Sequence, residues 1–231
     1  MITLIIPAYK EEKTINGILK VVYNHPLLKE IIIVDDGSTD NTNAILNKWE
    51  NKLTILRHTK NKGKSVAVKT GLNNANNPYI LFLDADLINL TQMDITKLVK
   101  PVIDKKVDLT MSLRADKNIY TFHNHLLGID FLTGERCGKK ELFDKGYTLG
   151  MSCYDCEILF NDYILKNKIT FVPIPINAKS LLKSQKSGFV EGSTADIKML
   201  SQIIKTETPL ELFRQAFLMH YYARKYKKLL L

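Results

Sequence analysis

The sequence predicts a single α/β domain, a mostly parallel mixed sheet flanked by helices, and three observations predict it. Short, continuously apolar runs alternate with amphipathic segments through the first half of the chain. Three of those runs stop at polar clusters rich in acidic residues: Pro7–Glu11, Asp35–Asp40 and Asp84–Asp86. The chain has 231 residues, 45% of them apolar and 25% charged, which suffices for a core without disulfide or metal staples.

The elements follow in order. Ile2–Ile6 is a strand ended by Pro7, and Lys13–Asn24 carries Ile15, Ile18, Leu19 and Val22 at helical spacing. Glu30–Val34 is a buried-type strand closed by Asp35-Asp36-Gly37, followed by a helix over Asn41–Trp49 and a strand over Leu53–Leu56. Gly63 to Ala75 reads as a helix entered through a loop rich in Gly and Lys, and Tyr79–Leu83 as a strand closed by Asp84. Thr91–Lys105 is helical and Asp108–Leu113 extended. The pattern loosens over residues 114–150 and returns with a helix at Asp155–Lys166 and an extended Thr170–Val172. Residues 177–193, with Lys, Ser and Gly and little apolar pattern, read as a mobile loop. Thr208-Pro209-Leu210-Glu211 announces a last helix: a cap, a proline at the first position and an acid at the third. Leu210, Phe213, Phe217 and Tyr221 share one face of it.

Composition narrows the partners. Cys137, Cys153 and Cys156 are too few for a disulfide framework, so a reducing compartment is expected. Met1–Ile6 is too short for the apolar region of a signal peptide, and no run reaches the length of a membrane span. A cytoplasmic protein is expected, with peripheral contact at the inner face of the membrane. The formal charge is +9, and from Lys198 onward seven basic residues face two acids, which favours an anionic surface or acceptor.

The chemistry lies at the strand ends, where ligands of parallel sheets bind. Asp84 and Asp86, two residues apart after a buried strand, would repel each other unless a cation lay between them. Hard divalent ions, Mg²⁺ or Mn²⁺, take such oxygen ligands and share them with substrate phosphates. The acids of Asp35–Asp40 can accept hydrogen bonds from a base or ribose, and Tyr9 can stack on a base.

Ile6-Pro7-Ala8-Tyr9-Lys10-Glu11-Glu12, Val34-Asp35-Asp36-Gly37-Ser38-Thr39-Asp40, Asn61-Lys62-Gly63-Lys64 with Gly71, and Leu83-Asp84-Ala85-Asp86 together resemble the family-2 glycosyltransferases of GT-A fold. The likeness is closest through about residue 90. It implies a Rossmann-like sheet of GT-A type with a C-terminal helical extension: a nucleotide-sugar-binding half over residues 1–113, an acceptor-binding and catalytic half over 114–207, and a basic amphipathic helix over 208–231. It implies that Pro7, Tyr9, Glu11 and Asp36 line the nucleoside pocket, that Lys64 and Asp84 lie at the nucleotide, and that Asp84 and Asp86 hold the metal, Asp86 more directly. Thr133-Gly134-Glu135-Arg136 resembles the segment closing over donor sugar and acceptor, which puts Gly134 and Arg136 in the site. The resemblance places a catalytic acid at the start of the Asp155–Lys166 helix, with Asp155 the first choice and Glu157 the second. Lys179, Lys183 and Lys186 would clamp the diphosphate or an acidic acceptor. Where such proteins offer a histidine after the next strand, Pro173–Lys179 has none.

The implied activity is transfer of a sugar, with inversion, from a nucleoside diphosphate (UDP before GDP) to a carbohydrate or polyprenyl-phosphate acceptor. The alternatives are a nucleotidyltransferase using the same Asp pair and a non-catalytic basic module binding membrane or nucleic acid. The first lacks a basic glycine-rich loop after the opening strand, and the second leaves the acidic strand ends unexplained, so no nucleic-acid partner is expected. Gly63-Lys64-Ser65 is not a phosphate-binding loop of nucleotide hydrolases, because His58 stands where a glycine is needed. Cys153 and Cys156 lack further ligands at zinc spacing.

Overall fold

A computed structural model describes residues 1–114, 131–147, 155–180 and 208–230. The order of elements is β1 (Ile2–Ala8), α1 (Ile15–Val22), β2 (Leu28–Asp35), α2 (Thr42–Asn47), β3 (Thr54–Arg57), α3 (Lys64–Asn74), β4 (Tyr79–Phe82), β5 (Leu87–Ile88), α4 (Gln92–Ile103) and β6 (Leu109–Arg114). Then come β7 (Arg136–Lys139), α5 (Lys140–Gly146), α6 (Asp155–Lys166), β8 (Phe171–Ile176), β9 (Lys179–Ser180), α7 (Pro209–Lys227) and a 3₁₀ turn at Lys228–Leu230.

Seven strands form one sheet in the order β3-β2-β1-β4-β7-β6-β8, with β7 antiparallel to both its neighbours and every other pairing parallel. Alternation along each strand splits the core in two. Leu4, Ile6, Ile31 and Ile33 face α1 and α4, whereas Ile5, Ile32 and Val34 face α3 and the helices of the second half. Helices on both faces explain why these strands read as continuous apolar runs. Gly71 lets α3 approach closely, since a Cβ there would collide with the Ile5 side chain.

Strand order reverses beside β1: β2 and β3 lie on one side, β4 on the other. This switch point opens a crevice beyond the strands' carboxyl ends. Pro7 does not end β1, contrary to expectation; the strand continues to Ala8 along β2. The Ile5 carbonyl takes the last β4-side bond, from Leu83 N–H, so the amide hydrogen that Pro7 lacks would have pointed to a side where pairing has stopped.

Two expectations for the second half change. Residues 131–147, expected to be loosely patterned, hold β7 and α5. Lys179–Ser180, inside the expected mobile loop, pairs antiparallel with Leu87–Ile88. The last helix begins as its cap predicts, Thr208 Oγ1 accepting from Glu211 N–H at 3.3 Å. Its face of Leu210, Phe213, Phe217 and Tyr221, however, is exposed, while Ala216, Met219 and Ala223 on the opposite side are buried.

Candidate active site

The crevice at the switch point gathers residues from six segments. Pro7 comes from the end of β1, Lys64 and Val68 from the first turns of α3, and Phe82 and Asp84 from the end of β4. Gly134 comes from the segment before β7, Tyr147 from the end of α5, and Cys156 and Glu157 from the first turn of α6. Both ends of the sheet's chemistry, the β4 aspartate and the α6 carboxylate, therefore share one cleft.

Lys64 joins them. Its Nζ lies 2.8 Å from Asp84 Oδ1 and 3.1 Å from Glu157 Oε1. A lysine at a helix's first position opposes the helix dipole, which favours anions there. The two carboxylates offset that local conflict. Burial works to lower the Lys64 pKa, but the charges and hydrogen bonds of Asp84 and Glu157 outweigh it and hold the ammonium well above its usual value. Glu157 is buried at 9% exposure, and its position at the positive end of α6 suits a carboxylate.

Gly134 closes the cleft over this trio. A Cβ at that position would collide with Asp84 Oδ1 and come within 2.6 Å of Lys64 Nζ, so no other residue type fits without displacing them. Buried neighbours hold the glycine in place: Ser112 Oγ donates to Glu135 Oε2 at 2.5 Å, Thr133 Oγ1 donates to the same oxygen, and the Ser112 amide bonds the Glu135 carbonyl.

Asp86 follows Asp84 by two residues, and its Oδ1 accepts from Ser180 Oγ at 3.0 Å. This contact is made by the short β9 strand, and nothing in the sequence pattern of Lys179–Ser180 marks it. Asp84 and Asp86 are hard oxygen donors at the end of one strand. Among the described residues no group of three His, Cys, Asp or Glu side chains stands ready to hold a metal alone. The donor set therefore suits an ion that completes its shell with phosphate oxygens and water, as Mg²⁺ does.

Asp36 lies at the end of β2, almost fully buried. Its Oδ1 accepts from His58 Nδ1 at 2.6 Å and from the Lys62 amide at 3.0 Å, and its Oδ2 from the Gly63 amide at 2.8 Å. It thus fixes the loop that delivers Lys64 to the cleft. His58, which also contacts Thr70 Oγ1 at 2.9 Å, was not anticipated, although it follows β3 as Asp36 follows β2. Tyr9 is 39% exposed in the turn after β1, with Lys10 Nζ 5.5 Å from its ring centre. Glu11 Oε2 in the same turn accepts from Thr14 Oγ1 at 3.0 Å. Neither lines the cleft that holds Lys64.

Arg136, expected in the site, also lies away from the cleft. Arg136 is fully buried, its guanidinium donating to the carbonyls of Thr133 and Phe131 at 2.9 and 3.1 Å and to Asn161 Oδ1 at 2.9 Å, and lying 4.9 Å from the Phe160 ring centre. It opens β7 and points into the core, so it braces the segment carrying Gly134 rather than meeting a substrate. Lys183, Lys186, Cys153 and the side chain of Asp155 lie outside the described residues.

Comparison with known proteins agrees with this fold. A sequence model described as Glycosyl transferase family 2 matches residues 3–167. The chain is 34% identical over 158 residues to the UDP-N-acetylglucosamine–dolichyl-phosphate N-acetylglucosaminyltransferase of Methanococcus voltae, covering 58% of this chain and 62% of that one. It is 26% identical over 182 residues to dodecaprenyl-phosphate galacturonate synthase of Rhizobium johnstonii, covering 74% of this chain and 53% of that one. The chain thus spans roughly half to three fifths of these relatives' length. In fold it is similar to glucosyl-3-phosphoglycerate synthase from Mycobacterium tuberculosis, solved with Mn²⁺ and UDP-glucose. The TM-score is 0.69 at 20% identity, covering 89% of this chain and 77% of that one.

Proposed function

The chain belongs to glycosyl transferase family 2, and on that premise we propose that it moves a sugar from a nucleoside diphosphate to an acceptor hydroxyl or polyprenyl phosphate, with inversion at the transferred carbon. The observation that carries this reading is the single ammonium of Lys64 shared by Asp84 and Glu157. It joins the carboxylate at the donor end of the sheet to the carboxylate on the helix facing the acceptor, under a glycine whose missing Cβ makes room for the ends of Asp84 and Lys64.

Asp84 and Asp86 would hold Mg²⁺ or Mn²⁺, which when bound supplies positive charge to the diphosphate leaving group. The fold neighbour's Mn²⁺ and UDP-glucose, and the UDP-sugar named for the Methanococcus relative, support a cation and favour UDP over GDP. Lys64 turns from Asp84 towards the diphosphate as the donor enters, so that its charge follows the negative charge that builds there. Pro7 and the β2 end, fixed through Asp36, form the floor on which the nucleoside lies; Tyr9 and Glu11 form its outer edge. The acceptor oxygen attacks the sugar carbon as the carbon–oxygen bond to the diphosphate breaks. With a hydroxyl acceptor the proton passes to Glu157, or to Asp155 two residues earlier in the sequence. With a phosphate acceptor no base is needed, since the attacking oxygen is already ionised. Both named relatives carry polyprenyl-type phosphate acceptors in their names, which favours the second case.

Two variants test the reading. Asp86→Ala is expected to lower metal-dependent donor hydrolysis and transfer by about two orders of magnitude or more while the protein stays folded. Glu157→Gln separates the acceptors: hydroxyl transfer falls about 10²–10⁴-fold and phosphate transfer persists. Undiminished activity in Asp86→Ala contradicts the proposal.

A further inference from the structure

The helix α7 presents two apolar faces, and only one is used. Ala216, Met219 and Ala223 are buried towards the sheet, and Gln215 Nε2 donates to the Ile158 carbonyl and to Asp162 Oδ1, both at 3.0 Å, tying α7 to α6. On the opposite face Leu210, Phe213, Phe217 and Tyr221 stand 78%, 53%, 71% and 55% exposed. Their spacing of three and four residues sets them in one line along the helix. The same line continues into Arg224, Lys225 and Lys228, all exposed. The one acid of residues 208–230, Glu211, is already paired with Arg214 at 2.9 Å. A contiguous exposed stripe of this size marks an interaction surface.

We propose that this face of α7 docks on an anionic lipid surface, its aromatic half entering the headgroup region and its basic half meeting lipid phosphates. Charge decides the occupant. Phenylalanine, leucine and tyrosine gain from the bilayer interface, and exposed lysine and arginine gain from anionic headgroups. A second copy of the chain fits worse. Antiparallel pairing of two such helices would press the basic half of each on the aromatic half of the other, and parallel pairing would bring the two basic halves together. No helix among the described residues is long and apolar enough to cross a membrane; the contact proposed is that of a helix lying along the surface. Gln215 bonds the residue next to Glu157, so a docked α7 sets the cleft's acceptor side one helix away from the lipid. The inference goes beyond the proposed reaction and does not rest on it, because lipid binding is read without any donor.

The test is co-sedimentation of the full chain with phosphatidylcholine vesicles, with and without phosphatidylglycerol. Binding only to the anionic vesicles, weakened by salt, is expected. Phe213→Ser with Phe217→Ser, and separately Arg224→Glu with Lys225→Glu and Lys228→Glu, should each weaken it by about tenfold or more. Unchanged circular dichroism and an unchanged thermal shift with donor show that these variants remain folded. A wild-type chain left in the supernatant overturns the proposal. So do variants that bind like wild type, or a lipid-free dimer that the Phe variants dissociate. Donor hydrolysis assayed on the same samples tells a failure of docking from a failure of the enzymatic reading.

Discussion

Replacing Lys64 with methionine keeps the side chain's length and removes its charge, which isolates what the ammonium does between Asp84 and Glu157. Both carboxylate oxygens lie about 3 Å from one nitrogen, so they are no more than about 6 Å apart. At that separation and an effective dielectric of about 20, two unit charges repel by about 3 kcal/mol. The Lys64 side chain is 31% exposed and Asp84 21%, so solvent screening makes about 2 kcal/mol the better expectation. For a chain of this size that is a fall in Tm of roughly 4–8 °C. The loss should be conditional, because a divalent ion held by Asp84 and Asp86 supplies positive charge beside the pair in place of the ammonium. Thermal unfolding monitored against Mn²⁺ concentration is the assay. Lys64→Met is expected to unfold lower without metal and to regain most of the difference with it. The wild type, whose ammonium must first be displaced, should respond to Mn²⁺ alone much less, and strongly only with UDP. A variant as stable as wild type without metal, or indifferent to Mn²⁺, refutes the reasoning.

Three further outcomes follow from other parts of the structure. Gly134→Ala forces a Cβ against Asp84 and Lys64, so donor-dependent thermal shift and transfer should both be lost, with circular dichroism retained. Arg136→Met strands the Thr133 carbonyl and Asn161 Oδ1, while the Phe131 carbonyl keeps its bond from Asn161 Nδ2; a loss of about 3 kcal/mol in denaturant unfolding is expected, whereas the KM for donor should barely move if Arg136 only braces the segment. Burial holds the His25 pKa below 6.5, against the opposing pull of its bond to the Gln92 carbonyl. The unfolded chain then binds the proton more tightly, so this contribution is complete above pH 6.5 and is lost as pH falls through the folded value. Tm should therefore drop more steeply from about pH 7.5 to about pH 5.5 in wild type than in His25→Gln.

The first half of the chain was legible because its signals are local. Buried parallel strands read as unbroken apolar runs, and acids placed directly after them had no packing reason to be there. Asp84 was found this way, Lys64 and Gly134 through the family resemblance, and the three meet in one cleft. What the sequence hid depends on contacts distant along the chain. The β7 strand is Arg136-Cys137-Gly138-Lys139, without a β-branched residue, and its place between β4 and β6 comes from pairing alone. An arginine after a glycine-containing turn looks like a substrate ligand, and only the fold shows carbonyls and Phe160 around it. In α7 the periodicity identified an apolar face but not which face packs. The small side chains of Ala216 and Ala223 allow the closer approach to the core, and the aromatic line is left outside.

For the proposed transfer, the β4-end aspartates must grip a cation that in turn grips a diphosphate. Crystals grown with Mn²⁺ and UDP, with diffraction recorded at the manganese absorption edge, address it directly. The expected result is an anomalous peak within coordination distance of Asp84 and Asp86, bridged to the diphosphate, with Lys64 swung off Asp84. Nucleotide bound there without manganese, or manganese elsewhere while Lys64 still spans Asp84 and Glu157, would contradict it.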